Sequence, residues 1–159
     1  MNDKHHNAGF SVSTGPPTMI EEFPDILEGS TGKYMVFEAP DPERWVPDDY
    51  VVVRIDCRGT GCSQGYWDCR SPRENRDYYI CVEWAGTQPW GNGKVGLYGI
   101  SYLAWNQWLV AALQPPHLVA IIPWEGAADW YRDWSRQGGI LRNPFGSGGT
   151  MFHTPRDNP

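Results

Sequence analysis

Apolar residues in this chain fall in short, strand-length blocks separated by turns. Tyr50-Val51-Val52-Val53-Arg54-Ile55-Asp56 is a near-continuous β-branched block, the pattern of a strand buried on both faces of a parallel sheet. Val95 to Tyr98 forms another, opened by the turn signal Trp90-Gly91-Asn92-Gly93. Leu118 to Ile122 is a further buried-strand candidate, and Lys33 to Glu38 a shorter one. Between these blocks the spacing lengthens. Tyr78, Cys81, Val82 and Ala85 recur every three or four residues, which predicts a helix with one apolar face. Ser71-Pro72-Arg73-Glu74 supplies its start: a capping serine, proline at the first helical position and the glutamate of a capping box. It is expected to end near Gly86. Tyr102 to Leu113 is also helix-compatible and apolar on nearly all sides, so it is expected to be buried or roofed over, and Pro115-Pro116 stops it. A short helix is predicted from Gly126 to Arg136. The β-α-β-α-β alternation predicts an α/β fold with parallel strands and right-handed crossovers. We expect an irregular N-terminal segment over 1–32, a partial α/β core over 33–136, and the start of a cap or a disordered tail over 137–159.

Ligands of such sheets bind at the carboxyl ends of the strands, where Asp56, Ser101 and Glu125 fall. In Lys94 to Ala104 a strand turns abruptly into a helix, with Ser101 at the corner. Such a corner projects a serine hydroxyl from the sheet edge, and the helix N-terminus directs positive charge toward it. Gly99 lets the neighbouring backbone pass close to the turn. A serine at a helix start also serves simply as an N-cap, and a strict Gly-x-Ser-x-Gly would need glycine where Leu103 stands. Asp56 and Arg58 flank a glycine-punctuated loop running to Gly65, where an ion pair bracing the loop is preferred to a catalytic role. The loop is not a phosphate-binding loop, because no Gly-Lys-Ser/Thr closes it. Gly91-Asn92-Gly93-Lys94-Val95-Gly96 matches a dinucleotide fingerprint only literally, since it precedes a strand rather than opening a helix.

Composition narrows the partners. The 159 residues are 40% apolar and carry a net charge of −6, which disfavours nucleic acid and anionic membranes. No apolar run approaches the roughly 18 residues of a membrane span. Met1 to Asn7 has no apolar signal-peptide core, so a cytoplasmic location is expected. Cys57, Cys62, Cys69 and Cys81 lack paired Cys-x-x-Cys spacing and read as reduced thiols, and His5-His6 has no partner ligand at useful spacing. No metal and no cofactor is predicted.

Three signatures in order then point to a family. Asp56-x-Arg58-Gly59-x-Gly61-x-Ser63-x-Gly65 resembles a loop of the cocaine esterase and X-Pro dipeptidyl-peptidase group of α/β-hydrolases. Pro89-Trp90-x-Asn92-Gly93-Lys94-Val95-Gly96 is similar to the same group, as is Gly99-x-Ser101-Tyr102, with Ala104 as the small residue two places on. Ala127-Ala128-Asp129-Trp130-Tyr131-Arg132 resembles the stretch after the next strand. The likeness covers roughly 33 to 140.

The resemblance implies a serine hydrolase acting on a small ester or peptide. Ser101 would be the nucleophile, a histidine the base, an acid the residue that orients it, and the Tyr102 N–H one oxyanion donor. The family's second donor is a tyrosine in a Pro-Tyr-x-Lys stretch; if Lys4 matches that lysine, Asn2 stands in its place. Family members continue through a cap, the strands carrying acid and base, and a jelly-roll-like domain. This chain is therefore expected to be a central part of a larger enzyme, with little activity alone. An internal triad would be Ser101, Glu125 and His153, with Asp129 or Asp133 as other acids. His117 is expected at the opposite sheet edge. Trp124, Trp130 and Trp134 are candidates for an acyl pocket or for packing under the cap. The competing expectation is a non-catalytic binding module. Self-association through an incomplete sheet edge is expected in either case.

Overall fold

The computed structural model describes residues 21–36 and 38–141. Their organising unit is a parallel pair of strands crossed by a helix. Strand β1 (Val95–Ile100) pairs in parallel with β2 (Leu118–Trp124), with Leu97 opposite Ile121 and Ile100 opposite Trp124. The helical turn α1 (Pro42–Trp45) lies upstream, helix α2 (Pro72–Gly86) precedes β1, and α3 (Tyr102–Ala111) connects the two strands. The predicted bounds of α2 hold, including its start: Ser71 Oγ accepts a hydrogen bond from Glu74 N at 3.1 Å. A single π-helical turn, Trp130–Ser135, occupies part of the stretch where a short helix was expected.

The core lies where α2, α3 and both strands meet. Val82, Leu97 and Val110 are buried there, with Tyr78, Tyr79, Val95, Leu118 and Ile121 packed around them. One polar side chain also sits inside. Gln107, 0% exposed, donates to Leu103 O at 2.9 Å and accepts from Ile122 N at 3.0 Å, which ties α3 to β2. Its amide satisfies a β2 N–H that would otherwise face the helix without a partner.

The Tyr50–Asp56 block is the main departure. Among the described residues it joins no ladder, and Val51 is 57% exposed, with Val53 and Ile55 also exposed. β-branched residues favour a pleated surface, but a strand exists only where a neighbouring backbone takes up its N–H and C=O groups. Lys33–Glu38 likewise reduces to an isolated bridge at Val36. Helix α3 is not apolar-buried all round: Leu103 and Trp108 are exposed.

The expected ion pair between Asp56 and Arg58 does not form. Arg58 instead makes a forked pair with Asp77 on α2, at 2.6 and 2.7 Å. Asp56 braces the loop from within: its carboxylate accepts from Cys62 N at 2.8 Å, and its carbonyl accepts from Ser63 Oγ at 2.8 Å. Gly61 packs directly against that carboxylate, leaving no room for a Cβ.

Replacing Gln107 with Leu strands the Ile122 N–H in the interior. Gln107→Leu is expected to cost about 1–3 kcal/mol, read as a lower urea midpoint at unchanged slope.

Candidate active site

Ser101 occupies the corner between β1 and α3 with φ 56° and ψ −117°, a left-handed conformation that costs a non-glycine residue roughly 1–3 kcal/mol. The corner is held from both sides. Ile100 N donates to Glu38 O at 3.2 Å, and Ser101 N donates to Trp124 O at 3.0 Å. Glu38 and Glu125, the residues on either side, are also left-handed at φ 62° and 51°. Three adjacent segments thus turn sharply at the same edge.

Tight packing beneath the corner explains its small residues. A Cβ on Gly99 would collide with the Leu103 side chain. Ala104 is fully buried, and its Cβ lies 3.1 Å from where a Cβ on Gly126 would be. Helix α3 therefore approaches both strand ends closely. Ser101 O accepts from Ala104 N and Trp105 N at 2.9 and 3.0 Å, closing the first turn. Tyr102 is the first helical residue, in the turn where backbone N–H groups point outward along the axis.

The Tyr102 phenol is fixed by a buried acid. Its hydroxyl donates to Glu74 Oε1 at 2.5 Å, and Glu74 Oε2 accepts from Arg70 N at 2.6 Å. Sequence reasoning assigned Glu74 only to a capping box. Its carboxylate instead reaches one residue before the cap and across to α3, a pairing that no local spacing signals. Burial, reinforced by the Glu74 charge, pushes the phenol well above its ordinary range, so it stays protonated and donating. Burial also raises the thiols of Cys57, to about 12, and of Cys69 and Cys81, keeping them protonated at neutral pH. All four cysteines are free.

An aromatic cluster adjoins Tyr102. Trp105 meets Trp130 and Trp134 edge-on, with ring centroids 4.6 and 4.8 Å apart. The Arg70 guanidinium lies over Trp130 at 3.8 Å and also approaches Trp105 and Tyr102, at 5.1 and 5.5 Å. Of the three tryptophans that are candidates for a pocket or for packing, Trp130 and Trp134 belong to this cluster. Trp124 does not: it stands 56% exposed at the end of β2. Trp105 and Arg70 were not singled out from sequence. Helical spacing assigned the first to packing, and the second carried no motif.

The acid and base candidates divide. Glu125 follows β2 beside the corner. Asp129 accepts from Tyr131 N and Arg132 N, each at 3.0 Å, and Asp133 accepts from Ala128 N and Asp129 N, so both hold the π-helical turn. His117 lies at the start of β2, the end away from Ser101, where its Nδ1 is 2.8 Å from Glu83 Oε2. His153, Asn2 and Lys4 lie outside the described residues, as do His5 and His6. Among the described residues no three His, Cys, Asp or Glu side chains form a metal site, and no helix is long and apolar enough to cross a membrane.

The X-Pro dipeptidyl-peptidase family (S15 family) matches residues 5–158. Cocaine esterase of a Rhodococcus species is 38% identical over 98 residues, 61% of this chain and 17% of that protein. Two crystal structures of a CocE/NonD family hydrolase from Staphylococcus aureus superpose with TM-scores of 0.67 and 0.64, at 47% and 52% identity. They cover 80% and 69% of this chain, and it covers 23% and 20% of theirs. The chain therefore spans less than a fifth of the curated esterase and under a quarter of the solved chains.

Two outcomes follow from these contacts. Tyr102→Phe leaves Glu74 Oε1 buried without its donor and is expected to destabilise the fold by about 1–3 kcal/mol, measured by chemical unfolding. The Glu38 carboxyl is raised by burial and then by the Glu125 charge. Its folded pKa lies above the unfolded one, so its contribution is complete below the unfolded value and is lost as pH rises through the folded one. Glu38→Gln is therefore expected to raise the melting temperature at pH 7 and to leave it unchanged near pH 3.

Proposed function

This chain belongs to the X-Pro dipeptidyl-peptidase family (S15 family), and on that premise we propose that it carries the nucleophile of a serine hydrolase acting on an ester or amide. The observation that supports this is the left-handed backbone of Ser101 between a parallel strand and a helix. A strained serine at such a corner presents its hydroxyl above the sheet edge. In the reaction the Ser101 Oγ attacks the substrate carbonyl carbon while a base takes its proton. The carbonyl oxygen becomes an oxyanion, facing the Tyr102 N–H and the positive end of α3. Collapse expels the alcohol or amine, which receives the proton, and leaves an acyl group on Ser101. Water then attacks that ester by the same route and releases the acid.

If the triad is completed within this chain, Glu125 and His153 are the acid and base that preserve the family's chain order; otherwise the base lies outside it. Trp130 is the pocket residue the cluster favours, with Trp124 further out. Turnover by these 159 residues alone is expected to be slow. The described histidine, His117, is engaged by Glu83 at the far strand end, and a triad without a placed base loses roughly a millionfold in rate. The same observation favours a second reading, a non-catalytic binding module built on the hydrolase core. The exposed residues Val51, Val53 and Ile55 support self-association in either case.

A fluorophosphonate probe distinguishes the two. The expected result is slow covalent labelling confined to Ser101, located by peptide mapping, lost in Ser101→Ala and slowed in His153→Ala. A folded chain that remains unlabelled, or is labelled elsewhere, overturns the nucleophile assignment and leaves the binding module.

A further inference from the structure

Among the described residues Arg70 has no acid partner. The ion pairs among the described residues are Arg44–Asp41, Arg58–Asp77, His117–Glu83 and Arg132–Asp129. The carboxylate nearest it in the network, Glu74, is committed to the Arg70 backbone N–H and the Tyr102 hydroxyl. The Arg70 Nε is buried with no hydrogen-bond partner, and so is the indole Nε1 of Trp105 in the same cluster. A buried donor without an acceptor is costly, and native structures rarely keep one without a ligand or ordered water to take it.

Local structure holds this guanidinium in place. Arg70 is left-handed at φ 56°, a conformation fixed by the Glu74 grip on its N–H. The side chain lies across Trp130 at 3.8 Å, with Trp105 and Tyr102 alongside. A guanidinium lying over an indole keeps its in-plane N–H groups at the edge, oriented to take a planar anion as a fork. The indoles supply a flat apolar wall for the remainder of the ligand.

We propose that Arg70, with Trp105 Nε1, binds a carboxylate on an otherwise flat, apolar small molecule, beside the Ser101 corner. The site would thereby select substrates whose acyl part bears an acid. The role of the bound acid as an acyl group rests on the Ser101 reading; the binding itself does not.

The test compares phenylacetate with its neutral isostere phenylacetamide, by titration calorimetry and tryptophan fluorescence on the 159-residue chain. Wild type is expected to bind the acid about tenfold more tightly than the amide. Ser101→Ala is expected to keep that ratio, and Arg70→Gln to bring it to about one. Arg70→Gln removes a cation from a packed ring face and can loosen the corner, so Arg70→Lys carries the same test. It keeps the charge and loses the fork, and the ratio is expected to fall about threefold. Trp105→Phe is expected to weaken the acid more than the amide. Equal affinity of wild type for the two compounds, or a ratio unchanged in both Arg70 variants, overturns the proposal. Acid selectivity without fluorophosphonate labelling keeps the anion site and removes the nucleophile. Labelling without selectivity does the reverse.

Discussion

A left-handed serine does not persist unless its surroundings leave it no alternative. At Ser101 the backbone is strained by an amount comparable to a whole hydrogen bond, and the chain holds it with bonds from both flanks: Ile100 N to Glu38 O and Ser101 N to Trp124 O. Everything else at this edge follows from that corner. The helix must start immediately after it, so α3 crosses close to the strand ends. That crossing leaves no room for a Cβ on Gly99, would bring one on Gly126 to 3.1 Å from the Ala104 Cβ, and buries Ala104 completely. Gln107 then fixes the helix to β2 from the other side, through the Ile122 N–H. The corner, the crossing and the buried amide form one mechanical unit.

A second unit leans on the first. Glu74 reaches from the first turn of α2 to the Tyr102 hydroxyl and to the Arg70 N–H, so one carboxylate joins the loop before α2 to the start of α3. The aromatic cluster of Trp105, Trp130 and Trp134 packs against this junction with the Arg70 guanidinium over it. Chemistry proposed at the corner therefore has a preorganised wall on one side. The tyrosine whose backbone would serve the oxyanion is held by its own side chain.

The opposite end of the strands is stabilised by different means. His117 is clamped between Glu83, which takes both its ring Nδ1 and its backbone N–H, and Gly86, against which its ring packs. Against burial, which raises it, hydrogen bonds from the His117 backbone and ring and the proximity of His117 hold the Glu83 carboxyl low. An imidazole so used is a strut for the α2–β2 contact. This separation of a structural histidine from the corner is what sequence order suggested and what the fold requires, because His117 precedes β2 while Ser101 follows β1.

Local pattern alone determined the elements whose signals are short-range. The Ser71-Pro72 start and Gly86 end of α2 came from capping chemistry, β1 and β2 from apolar blocks bounded by turns, and the Ser101 corner from a strand abutting a helix. Those depend on residues within a few positions of one another. Only the tertiary structure decided the rest. The Tyr50–Asp56 block has strand composition yet joins no ladder, since pairing depends on a neighbour's backbone and not on its own residues. Arg58 chose Asp77 over the adjacent Asp56 because a fork across to α2 satisfies both oxygens, while Asp56 is needed by Cys62 N. Trp130 and Trp124, alike in sequence, were separated by placement: one meets Trp105 and Arg70, and the other stands exposed. Arg70 itself was invisible, because its importance lies in what surrounds it, and contacts that close long loops leave no trace in local spacing.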